Sequence, residues 1–303
     1  MRRRNRVERL TTGRGGLAAW RGFALVAVMW MLAALALLVA GLMGAARTEI
    51  RSLQGAQEVA RATALGDAAI QVVLQSLQTS GDRPTRMARH EVVFDGVAIA
   101  VRILPAEGFV DLNVADEGLL AQLFTFAGGV DPGLAETLAQ AVGEWRTHGP
   151  AAEPAGTAGG RGRTGFDSIE DLLQVPGFDF MLFDRIRDLV TIVSGATGVD
   201  PLAASPEVLF VLASGNRDAA ASISARRDTG DPVIDMTSLT HAQPNSAGGT
   251  LYRLDALTPS SEKVRHVRSA WVSLAGEAEG MPWQILEVMP VRAVGRSGSL
   301  DGE

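Results

Sequence analysis

The sequence predicts an α+β fold: a long amino-terminal helix, transmembrane and then amphipathic, packs on a small antiparallel sheet, and a large all-helical domain is inserted between the strands. Three observations predict it. A charge-free apolar run passes without a breaker into an apolar repeat of helical period, strand-like stretches lie on both sides of a long helix-rich region, and that region carries three similar helix-start segments. The divisions expected are a leader over 1–22, a membrane helix over 23–46 and its continuation over 47–82. The first part of the sheet follows over 83–112, the helical insert over 113–230, the second part of the sheet over 231–293 and a flexible tail over 294–303.

The amino end divides at Gly22 and Phe23. Arg2, Arg3, Arg4, Arg6, Arg9, Arg14 and Arg21 precede this point against the single acid Glu8, and Phe23–Ala46 holds no ionisable side chain. At 1.5 Å per residue that run can cross a hydrocarbon core of roughly 30 Å. The basic flank places the amino end in the cytoplasm and the rest across the membrane. An ordinary signal anchor and a cleavable secretory signal ending near Ala46 are both compatible with this pattern. A small Gly placed before the apolar run, rather than after it, is similar to a type IV prepilin leader, whose peptidase cuts on the cytoplasmic side and leaves the helix on the mature chain. Counting from Phe23, the fifth residue is Ala27, where pilin-like proteins carry Glu.

Charge and composition exclude several function classes. The whole chain has 28 basic and 34 acidic residues; without residues 1–22 it has 21 and 33, a net charge of −12. An exported body of that charge disfavours non-specific nucleic-acid binding. No cysteine is present, which removes disulfides, thiol chemistry and thiolate metal sites.

After the apolar run, Ile50, Leu53, Val59, Leu65, Ala69, Val72, Val73 and Leu77 recur mostly every three or four residues, with Arg51, Glu58, Arg61 and Asp67 between them. Ser80, Gly81, Asp82 and Pro84 then stop the helix. His90–Phe94 and Val97–Leu104, joined by Asp95 and Gly96, read as a hairpin. Strand-like stretches return at Thr250–Leu257, Val264–Leu274 and Trp283–Val291.

Between them lies a weak repeat: VDLNVADEGLLAQLF from Val110, FDSIEDLLQVPGF from Phe166 and VDPLAASPEVLFVL from Val199. Each has a helix-start residue (Asn113, Asp167 or Ser168, Ser205), then an acid and leucines, which is capping and dipole chemistry. Gly149–Gly165 reads as a flexible linker. GRGRTG within it has the spelling of a dinucleotide loop but lacks the preceding strand and following helix that would make one. His90, His148, His241 and His266 have no paired metal spacing and are expected at the surface or in loops. Asp167, Glu170 and Asp171 crowd a helix start, so no catalytic set emerges. The apolar FDFMLF, Phe178–Phe183, is expected mainly in the core, with partner docking as the other reading.

Taken in order, Gly22 and Phe23, Ala27, GFVDLNVA (Gly108–Ala115), FDSIEDLLQVPGF and LVTIVSG (Leu189–Gly195) resemble the K-type minor pseudopilin of type II secretion, general secretion pathway protein K or GspK. The resemblance implies a pseudopilin fold, processing between Gly22 and Phe23 by the prepilin peptidase, and residence in the inner membrane with the carboxyl-terminal domain in the periplasm. It further implies contacts with the I- and J-type minor pseudopilins and the major pseudopilin, no catalysis and no nucleic acid. Calcium binding belongs to that family, but where it has an acidic DWRD-like stretch this chain has Glu144, Trp145, Arg146, Thr147 and His148, so no ligand set is assigned. The rival from another class is DNA binding, because helices meeting at the Val175–Gly177 turn are similar to helix-hairpin-helix domains. An anchored hydrolase would need a polar catalytic cluster that the sequence does not supply.

Overall fold

The computed structural model describes residues 17–81, 83–149, 165–231, 233–244, 248–261, 264–275 and 282–295; within helix α1 it describes the side chains of 25–39 and 54–80. The expected leader and linker therefore lie largely outside the described residues, as does the end of the tail. The chain divides into two compact units, Met1–Glu58 and Val59–Glu303. Helix α1, Leu17–Ser80, contributes to both.

In the first unit the described side chains from Leu25 to Val39 are all apolar and exposed, Ala27 among them. Among the described residues no helix is long and apolar enough to cross a membrane, and the expected span Phe23–Ala46 lies partly outside them.

In the second unit the later part of α1 covers one face of a six-stranded antiparallel sheet. Its strands are β1 (Ala88–Phe94), β2 (Val97–Pro105), β5 (Leu251–Ser261), β6 (Val264–Ser273), β7 (Gln284–Val288) and β8 (Arg292–Gly295). The order is β1-β2-β5-β6-β7, with β8 also paired to β6. The Asp95-Gly96 turn closes the first hairpin, both residues having positive φ as a two-residue turn demands. Alternation puts Ile99, Val101 and Ile103 of β2 and Tyr252, Leu254 and Ala256 of β5 on the covered face, where they meet Ala69, Ile70, Val73, Leu74 and Leu77. Of the helix positions marked by spacing, Val59 and Val72 are exposed, and Ile70 and Leu74 take the buried places instead.

α1 comes close against the sheet at Gly66. A Cβ there would lie 2.5 Å from Cβ of Arg268 on β6. One residue on, Asp67 receives two hydrogen bonds from the Arg268 guanidinium, at 2.7 and 3.2 Å. The glycine that looks like a helix weakness is thus a contact point.

The inserted region contains α2 (Glu117–Gln122), α3 (Pro132–His148), α4 (Phe180–Ile186), α5 (Pro206–Leu212) and α6 (Arg217–Asp228) around one apolar core. Four of the sequence expectations need correction. The insert is not all helical, because β3 (Val110–Asp111) and β4 (Val190–Thr191) form a short parallel pair. Its second repeat makes a 3-10 helix, Ile169–Gln174, started by a Ser168–Asp171 capping box. The expected strand Trp283–Val291 divides into β7 and β8 around Pro290, which has no N–H to give a ladder, so Val294 and Gly295 belong to the sheet rather than the tail. Ile234 and Leu239, placed by sequence with the second part of the sheet, pack on the insert's core.

Gly66→Val should force α1 off β6 and cost about 1–3 kcal/mol in denaturant unfolding. Gly55→Ala, where no atom lies within 4 Å of the added Cβ, should be neutral or stabilising by up to about 1 kcal/mol.

Candidate functional site

Three of the segments that carry the resemblance converge on one turn, Asp111–Ala115. The Asp111 carboxylate, buried, accepts from the Asn113 and Gly195 backbones and from the Ser194 hydroxyl. Asn113 was expected to cap the first helix; Asp116 does so instead, accepting from Leu119 N at 2.7 Å. The Asn113 amide bridges elsewhere, giving to the carbonyls of Phe166 and Ile192 and accepting from Phe166 N. From α3, Trp145 stacks on Phe166 and Arg146 donates to the carbonyls of Leu112 and Ala115. Burial lowers the Arg146 pKa, against the pull of Asp111, Glu117 and Asp116.

A second set of contacts mounts the insert on the uncovered face of the sheet. Gly108 lies so close to the Ala203–Ala204 backbone that a Cβ would sit 2.3 Å from the Ala203 oxygen. Met87 N donates to Leu202 O and Asp200 N to Glu107 O. Phe109 packs on Trp271 with ring centroids 5.1 Å apart, under the Arg253 guanidinium.

Charge completes the mount. Arg253 and Asp255 of β5, both nearly inaccessible, pair at 2.8 Å, and Asp255 also takes Arg102 at 3.1 Å and the Ser269 hydroxyl at 2.7 Å. Arg253 reaches across to Asp188, at the end of α4, at 3.0 Å; Arg292 of β8 grips the same carboxylate at 2.9 and 2.6 Å. Burial works against the charge on Asp188 and Asp255, but the arginines outweigh it and hold both pKa values down. Glu107 and Glu287 are pushed the other way by burial, with Asp200 and Glu170 adding to it.

Sequence reasoning missed this network. On a half-exposed strand Arg253 and Asp255 read as solvent-facing, opposite Tyr252 and Leu254. The one available signal was their opposite charge at i and i+2, which share a face.

Of the sequence-marked positions, the Gly22 and Phe23 side chains lie outside those described, and Ala27 is an exposed helix residue. His266 is buried in β6 rather than at the surface. His241 pairs with Asp116 at 2.8 Å, and His148 bonds to the Glu144 carbonyl. Phe178–Phe183 divides: Leu182 and Phe183 are core, whereas Phe180 and Met181 are exposed. A calcium ion does not fit the Asp111–Ala115 turn, because its carbonyls take Arg146 and its carboxylate takes backbone and hydroxyl donors. Among the described residues no group of three or more His, Asp or Glu could hold a metal.

Two outcomes follow for stability. Asp255→Asn leaves Arg253 buried with less compensation and should cost about 3–5 kcal/mol in urea unfolding, against about 1–3 kcal/mol for the more exposed Asp188→Asn. The depressed Asp188 and Asp255 contribute stability present above about pH 3.9 and lost as pH falls through their folded values. The raised Glu107 and Glu287 contribute stability present below about pH 4.3 and lost as pH rises through theirs. Thermal unfolding should therefore show a Tm maximum at about pH 4, with Tm falling on either side of it.

No protein-family model matches the chain, and no curated protein does. Among solved structures, the crystal structure of the GspK-GspI-GspJ complex from the enterotoxigenic Escherichia coli type 2 secretion system is similar, with 15% identity and a TM-score of 0.44 over 80% of this chain and 98% of that one.

Proposed function

We propose that the protein is a membrane-anchored, non-enzymatic minor pseudopilin at the tip of a type II secretion pseudopilus. In this reading the prepilin peptidase cuts between Gly22 and Phe23, and the apolar helix stays in the inner membrane until the subunit is drawn into the fibre. The second unit lies in the periplasm and joins I- and J-type minor pseudopilins above the major pseudopilin. A cytoplasmic motor supplies the energy, and the tip helps move folded proteins through the outer membrane.

The observation that carries the reading is Ala27, an exposed apolar residue at the fifth position after the cut. A carboxylate in that setting needs a neighbour's terminal amine to offset its desolvation. A subunit with no neighbour ahead has no such amine and no use for the acid. The fixed insert supports the same place, since a bulky domain held on the sheet would block stacking above it.

DNA binding is disfavoured by charge. Residues 113–230 carry sixteen acids and eight arginines, and Phe178 and Asp179 follow the Val175–Gly177 turn where a phosphate-binding hairpin needs bases.

Co-expression with the prepilin peptidase, followed by mass measurement of the mature chain, should give a product beginning at Phe23. A product beginning near Arg47, or an uncut chain, would contradict the assignment.

A further inference from the structure

Between α2 and α3 the chain makes a π-helical turn, Leu123–Ala127, with Gly128 N bonded five residues back to Leu123 O. The wider turn displaces its own side chains from the regular helical spacing. Here Phe126 is half-exposed and lines a cleft of about 470 Å³.

The cleft is built around that ring. Phe126 meets Phe210 edge-on at 6.3 Å, and Phe210 is in turn covered by the Arg217 guanidinium at 4.8 Å. Gly215, at φ 83°, passes so close that a Cβ would lie 2.7 Å from the ring. The ring is therefore held in place rather than free to turn away. Glu117 of α2 and Glu136 of α3 line the cleft, together with the apolar Ala121, Ala139 and Pro132.

Among the described residues, no Arg or Lys lines the cleft. Glu117 shares the field of Arg146, which leaves Glu136 without a cationic partner among the described ion pairs. Two carboxylates, an aromatic face and methyl groups in one recess complement a cation on an apolar stem. A metal ion is a poor fit, since a hard cation of the calcium type takes six to eight oxygens and two carboxylates fall short. An acidic ligand would be repelled.

We propose that this cleft is a docking site for an arginine or lysine side chain of a partner protein. The stem lies along Ala121 and Ala139, the cationic head faces Phe126, and Glu117 and Glu136 neutralise it. The proposal does not rest on the tip reading.

Saturation-transfer NMR on the full chain in detergent tests it, with the capped tripeptides acetyl-Gly-Arg-Gly-amide and acetyl-Gly-Gln-Gly-amide as probes. The arginine peptide should bind saturably with a Kd of about 1–10 mM, and the glutamine peptide at least about tenfold more weakly. Glu136→Gln should weaken the arginine peptide about threefold to tenfold, and Phe126→Leu by a similar factor. Glu207→Gln, the same charge change elsewhere on the insert, should leave binding as it was. Equal binding of the two peptides, an unaltered Kd in Glu136→Gln, or no saturable signal from the arginine peptide below about 20 mM would overturn the proposal.

Discussion

The second unit depends on one buried ion cluster, in which Arg253 lies between Asp255 of its own strand and Asp188 of the insert. Removing a guanidinium and carboxylates from water costs several kcal/mol per ion, and only close, multiple pairing offsets it. Here Arg102, Ser269 and Arg292 provide the remaining partners. An arrangement of this kind tolerates little change in relative position, because any separation leaves a charge dry and unpaired.

That intolerance links the parts mechanically. Asp67 of α1 holds Arg268 of β6, β6 pairs with β5, and β5 carries the arginine that holds the insert. Close packing runs beside this path: Gly66 against Arg268, Phe109 on Trp271 and Gly108 against the Ala203 backbone. Displacement of Val59–Ser80 is therefore carried to the insert without a hinge among the described contacts. In the proposed role at a fibre tip, where the helix would be pulled and the insert presented outward, such coupling would be of direct use.

Period and turn chemistry made much of the fold legible in the sequence. The Asp95-Gly96 hairpin, the strand alternation of β2 and β5 and the stop at Ser80 each follow from local rules, and the α+β class follows from their order. Tertiary context decided the rest. Asn113 has the chemistry of a cap, but Asp116 lies nearer the first free N–H groups, which releases Asn113 to join segments 53 and 79 residues away. Arg253 and Asp255 look like a solvated strand face until the insert covers them. Pro290 was visible, yet its consequence, two short strands sharing one edge of β6, needed the pairing register.

The central claim is that the insert and the sheet form one body. Because the native chain has no cysteine, Glu91→Cys on β1 and Gln140→Cys on α3 can carry a unique pair of spin labels. Pulsed electron paramagnetic resonance at neutral pH should give one narrow distance distribution, and it should broaden when Asp188→Asn is added. A broad or two-peaked distribution in the chain with Asp188 intact would contradict the account.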